Sequence, residues 1–94
     1  MSNATVIFAP EVDAAILDLI DYVEVSDIPA VLNFLEGVQQ RLVHTLSTFP
    51  NGGSPFQGNV RLFTVDRYAF LYEYHPNLNE VHVLEMMAPG RDWR

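Results

Sequence analysis

Residues 59–74 read NVRLFTVDRYAFLYEY. Side chains on a strand alternate between two faces, so Tyr68, Phe70, Tyr72 and Tyr74 share one face and Ala69, Leu71 and Glu73 the other. β-Branched and aromatic residues dominate both halves of the stretch, and Asp66-Arg67 between them is a turn-sized gap. A third run of the same kind, EVHVLEMMA (residues 80–88), follows the turn-sized HPNLN (residues 75–79). The period of two predicts an antiparallel three-stranded meander. Its row of aromatic residues is expected to be the buried side, because aromatics favour strands and dominate cores.

Upstream of residue 50 the period changes to that of a helix. Val12, Ala15, Ile16, Leu19, Ile20 and Val23 recur at helical spacing, with Glu11, Asp13, Asp18, Asp21 and Glu24 mostly opposite them. That predicts an amphipathic helix over residues 10–24. SDIP (residues 26–29) then offers Ser26 or Asp27 as a side-chain cap and Pro29 for a first turn. Val31, Leu35, Val38, Leu42, Leu46 and Phe49 continue on one face until PNGG (residues 50–53) stops the second helix. Gly37 within it costs about 1 kcal/mol against alanine and permits close packing. The short connection makes the two helices an antiparallel hairpin. Before them, TVIFA (residues 5–9) reads as a strand ended by Pro10. Two amphipathic helices need an apolar sheet face to cover, and the meander supplies one. The expected class is α+β: an N-terminal strand, then a two-helix hairpin packed on a C-terminal three-stranded meander, in one domain spanning residues 1–94.

Composition narrows the function. At 94 residues and 49% hydrophobic the chain suits one packed core. No apolar run approaches the ~18 residues of a membrane span and no signal-peptide pattern opens the chain, so the expected location is the cytoplasm. Cysteine is absent, which removes disulfides and thiolate metal sites. Residues 2–4, Ser-Asn-Ala, read as a cloning scar and are given no role. The net charge is −7, and its distribution matters more than its size. Glu11, Asp13, Asp18, Asp21, Glu24, Asp27 and Glu36 occupy the first forty residues with no base among them. Lysine is absent, and Arg41, Arg61, Arg67, Arg91 and Arg94 all come later, balanced there by five acids. A polyanion is repelled by the first part and barely attracted by the second, which argues against direct nucleic-acid binding through a broad basic face.

The order strand, helix, helix, meander, with FPNGG (residues 49–53) closing the second helix, the early Val60-Arg61, YAFLYEY and the ending GRDW (residues 90–93), resembles the RelE/ParE superfamily of type II toxins. The resemblance covers Phe8 to Trp93. It implies a bacterial toxin silenced by a cognate antitoxin that wraps its surface. RelE-like members cut messenger RNA on the ribosome, chemistry that needs cations for the phosphorane charge and a general acid or base for the moving protons. ParE-like members lack that set and are associated with inhibition of DNA gyrase. Where the nuclease pattern has an arginine after the tyrosine of the third strand, this chain has Ala69; where many relatives place a histidine before Arg-Asp, it has Ala88. The lysines that many nucleases use are missing, and only Arg61 stands where a shared family arginine sits. The resemblance therefore implies the ParE-like branch: a toxin acting by protein binding, not an enzyme, without cofactor or metal, with an antitoxin and DNA gyrase as partners. The alternatives are a RelE-like endoribonuclease with an atypical site around Arg61 and Arg91, and a degenerate, non-toxic member.

The candidate target- or antitoxin-binding residues are Arg61, Arg67, Arg91, Trp93 and Arg94. Arg61 has a second reading, as a sheet arginine pairing with Glu73 or Glu85 across strands. Arg67, in a turn, has one as a solvated side chain. In the tail, Trp93 either caps the core, with Asp92 anchoring a turn, or joins Arg91 and Arg94 in an exposed patch of the residue types enriched in binding hot spots. His82 and Glu85 are separated by an odd number on a strand and so are expected on opposite faces. His44 falls on the second helix and His75 faces Val81 more nearly than His82, leaving no convergent metal-ligand set.

Overall fold

The computed structural model describes residues 3–89. Its elements are β1 (Thr5–Phe8), α1 (Pro10–Ile20), a 3₁₀ turn (Val25–Asp27), α2 (Ile28–Thr48), β2 (Ser54–Gln57), β3 (Val60–Val65), β4 (Tyr68–His75) and β5 (Glu80–Met87). The expected meander is present as β3, β4 and β5, but it is the centre of a five-stranded sheet of order β1-β5-β4-β3-β2. The first strand is part of that sheet, running parallel to β5 with Val6 beside Val81 and Phe8 beside Val83. On the far edge, β2 pairs antiparallel with β3 through a two-residue turn, Gly58-Asn59, where Gly58 takes a positive φ of 56°. Glycine followed by asparagine between Phe56 and Val60 is a hairpin signal in the sequence. Pro55 and a bulge between Pro55 and Gln57 suit β2 to an edge position.

Pro10 opens α1, and Glu11 and Asp13 in its first turn face the positive end of the helix dipole. The helix ends at Ile20 rather than at residue 24. Its last turn holds no base, and Asp18 and Asp21 stand at the negative end of the dipole, so the chain leaves the helix through bonds from Tyr22 and Val23 to the Leu19 and Ile20 carbonyls. The expected side-chain cap of α2 is absent. Asp27 is the N-cap residue but makes no side-chain cap bond, because it sits in the right-handed helical region (φ −96°, ψ −9°) as the end of the preceding 3₁₀ turn. Leu35, Val38, Leu42 and Leu46 form the buried stripe of α2, whereas Phe49, expected on it, ends the helix 66% exposed.

The core lies between the helices and one face of the sheet. Val12 of α1 and Val38, Leu42 and Leu46 of α2 meet Val65, Phe70, Tyr72, Val81, Val83 and Met86. The aromatic row therefore points as expected: Phe70 and Tyr72 are fully buried and Tyr68 and Tyr74 pack against the cluster. Ala4 belongs to the core as well, 6% exposed with its amide donating to the Ser47 carbonyl, so this residue of the presumed scar has a structural place. No helix among the described residues is long and apolar enough to cross a membrane.

Gly37 does not serve close packing, since a Cβ added there meets nothing within 4 Å. Gly37→Ala is expected to stabilise the protein by roughly 0.4–1 kcal/mol, by lowering the entropy of the unfolded chain without a clash. A denaturant midpoint that falls would contradict this.

Candidate functional site

Arg61 lies opposite Tyr72 in the β3–β4 ladder, which places it on the helix-covered face of the sheet, the face opposite that of Glu73. It pairs with neither Glu73 nor Glu85. Its Nε donates to the Gly53 carbonyl (3.2 Å) and its Nη2 to the Asn51 carbonyl (3.2 Å). The Gly53 amide in turn donates to the Tyr72 hydroxyl at 2.9 Å. Two side chains of adjacent strands thus hold the Asn51–Gly53 loop that follows α2. The reason is local: the Gly52 amide bonds back to the Phe49 carbonyl at the end of α2, whereas the Asn51 carbonyl and both backbone groups of Gly53 take their partners from Arg61 and Tyr72. Tyr72→Phe is expected to cost about 1–2 kcal/mol by orphaning a half-buried amide, read as faster exchange of the Gly53 N–H and a lower thermal midpoint. Unchanged exchange at Gly53 would remove this role.

Arg67 and Asp66 form the β3–β4 turn, both with positive φ (71° and 49°), as a two-residue hairpin of this twist requires. Asp66 accepts from the Arg41 guanidinium of α2, an exposed pair worth little. Arg67 is exposed and makes no ion pair among the described residues. Arg61 and Arg67 are six residues apart along the chain, roughly 20 Å on an extended strand, and they do not converge. Arg91, Trp93 and Arg94 lie outside the described residues.

The opposite, helix-free face of the sheet holds what the sequence reading placed differently. A bulge in the β4–β5 ladder sets Leu71 opposite Glu85 but Tyr72 opposite Val83, with Leu84 as the extra residue. That insertion shifts the parity of the strand, so His82 (opposite Glu73) and Glu85 (opposite Leu71) share the helix-free face instead of opposing each other. His75 pairs with Glu80 in register, which brings its ring diagonally to His82; the two imidazoles stack with centroids 4.3 Å apart at 36°. It is His82 that His75 meets, not Val81. His82 Nε2 stands 2.8 Å from Glu80 Oε1, and His75 Nε2 stands 3.8 Å from Glu73 Oε1. These four residues form a patch of alternating imidazole and carboxylate. Among the described residues no group of three histidine or carboxylate side chains is placed to hold a metal ion.

Among the described residues, the electrostatics of that face are one-sided. Glu73, Glu80 and Glu85 lie on it, whereas Arg61 is on the other face, Arg41 is on α2 and Arg67 is in a turn. None of the seven acids of the first forty residues has an ion-pair partner among the described residues.

No family model matches the chain, and no curated protein matches it. Solved structures do. The chain superimposes on the RelBE2 toxin–antitoxin complex from Mycobacterium tuberculosis with a TM-score of 0.63 at 17% identity, over 97% of this chain and 97% of that one. For the isolated E. coli RelE toxin the TM-score is 0.58 at 11% identity, covering 96% and 88%. For the intact E. coli RelBE toxin–antitoxin complex it is 0.56 at 11% identity, covering 94% and 99%. The α+β architecture is thus that of the RelE toxins, over nearly the whole length of both chains.

Proposed function

We propose that this chain is the toxin of a type II toxin–antitoxin pair in the RelE/ParE superfamily, neutralised by a cognate antitoxin and acting on its target by binding rather than by cutting RNA. The fold supports the toxin half of the reading, and two of the similar structures are complexes with an antitoxin. The observation that carries the non-catalytic half is the charge of the helix-free face. Cleavage by a 2′-hydroxyl passes through a phosphorane with added negative charge, which needs cations in place before the reaction. Here Glu73, Glu80 and Glu85 occupy the face, no lysine exists in the chain, and the guanidinium of Arg61 is engaged by two loop carbonyls. A carboxylate ~8 Å from a phosphate opposes it by roughly 0.5 kcal/mol in water and by more in a protein-lined cleft. Three of them disfavour both binding and turnover.

DNA gyrase as the target follows from the resemblance to the ParE branch. The nuclease reading centres on Arg61 and Arg91: the first is engaged by loop carbonyls and the second lies outside the described residues, which leaves that reading the stacked imidazoles of His75 and His82. They lack the accompanying cations among the described residues, which is why the binding reading is preferred.

Induction of the chain alone in a bacterial host, with message 5′ ends mapped by primer extension and plasmid supercoiling followed in parallel, separates these readings. Growth arrest with loss of supercoiling and intact messages is the expected result, relieved by co-expression of the antitoxin. Discrete cuts at codon boundaries would replace it with the nuclease reading. Normal growth would leave a binding module without toxicity.

A further inference from the structure

The helix-free side of the sheet is indented between β2 and the start of α1. Phe56, Val60, Leu71 and Leu84 form the apolar floor of a groove of about 370 Å³, with Glu11 and Glu85 on its rim. The same two glutamates line a second concavity of about 400 Å³, which runs on between α1 and the end of β5 over Ala15 and Met87, with Asp18 as a third carboxylate. The two concavities adjoin at Glu11 and Glu85, which line both. The bulge at Leu84 makes the groove's floor, because it turns Leu84 and Glu85 towards the same side as Leu71. Among the described residues, no arginine, lysine or histidine lines either part. Phe56 is 39% exposed, an uncovered aromatic beside unpaired carboxylates.

We infer that this groove docks a basic, apolar segment of a protein partner, with aliphatic side chains on Leu71, Leu84 and Phe56 and a guanidinium or ammonium group between Glu11 and Glu85. The argument is charge complementarity on an apolar floor. Glu11 and Glu85 line both concavities and have no ion-pair partner among the described residues, so a cation placed beside them gains attraction from both. Arginine fits such a place best, since its methylene stem lies along apolar surface while its planar head meets carboxylates. A second copy of this chain is repelled at long range, because each copy carries a net charge of −7. Nucleic acid is excluded by the same sign. In the toxin reading the segment belongs to the antitoxin, but the shape and charge of the groove stand without that assignment.

The test uses the full chain and a synthetic peptide of arginine, leucine and alanine, with a copy carrying glutamate in place of arginine. Methyl NMR signals of Met87, Ala15, Leu71 and Leu84 are followed on titration. The arginine peptide is expected to shift these signals and the glutamate copy to leave them unmoved. Affinity should fall by about tenfold in the Glu11→Gln, Glu85→Gln double variant and fall again at high salt. Glutamine keeps the shape of both side chains, so the loss reads charge rather than folding. Equal binding of the two peptides, shifts confined to other parts of the surface, or unchanged affinity in the double variant would overturn the inference. So would binding gained only after Arg91→Gln and Arg94→Gln, which would assign the groove to the chain's own tail.

Discussion

Phe70→Ala is expected to lower the thermal midpoint by roughly 15–30 °C, or to prevent folding at 37 °C. Phe70 is fully buried in the middle of β4, flanked in register by Phe63 of β3 and Met86 of β5 and covered by the apolar stripe of α2. Truncating a buried phenylalanine costs about 3–5 kcal/mol, the transfer free energy plus the cavity left behind. A domain of this size has a total stability of roughly 5–15 kcal/mol, and each kcal/mol moves its midpoint by about 4–8 °C. The neighbouring residue gives the control. Leu71 is half-buried on the helix-free face, so Leu71→Ala should cost only about 1 kcal/mol. Thermal melts by circular dichroism compare the two. Equal losses would mean that the two faces of β4 are not distinguished by burial in the way described.

The second large effect is expected at Gly53. A Cβ there would stand 2.6 Å from the Leu62 carbonyl oxygen and 2.7 Å from the Tyr72 hydroxyl oxygen, both closer than real contacts allow. The first of these atoms is backbone of β3 and the second is held in the core, so neither can give way cheaply. The loop must move outward, which breaks the Gly53 amide bond to Tyr72 and the Arg61 bond to the Gly53 carbonyl. Gly53→Ala should therefore destabilise by about 2–4 kcal/mol, the sum of overpacking and lost hydrogen bonds. The sign is opposite to that expected for Gly37→Ala, where the added methyl meets open space. Denaturant titration of both variants decides the matter, and a Gly53→Ala protein as stable as the parent would show that the loop is not seated on the sheet.

These expectations bear on function through Arg61. As a lock on the loop after α2, it supports the edge of the sheet where β2 begins, and β2 contributes Phe56 to the groove. A loss of partner binding in an Arg61 variant is thus expected even though the residue does not face the groove. Hydrogen exchange at Gly53 in that variant reports whether the loop is loosened, and unchanged exchange with lost binding would point to a direct contact instead.

The two helices, the strands of the meander and the inward direction of the aromatic row were legible in the chain, because each depends on a period that a single segment carries by itself. Val38, Leu42 and Leu46 fall on one side of any helix that contains them, and Phe70 and Tyr72 on one side of any strand. The concentration of acids in the first forty residues was equally legible, and none of them has an ion-pair partner among the described residues. Tertiary structure alone decided how the strands meet. The bulge at Leu84 exists only in the pairing of β5 with β4, yet it reverses the parity of every residue beyond it, joins His82 and Glu85 on one face and builds the floor of the groove. The stacking of His75 on His82 follows from the same register, and the engagement of Arg61 depends on a loop folded back from the end of α2. Periodicity is a property of neighbours in sequence, whereas register, bulges and the partners of a guanidinium are settled between segments that only the folded chain brings within a few ångströms.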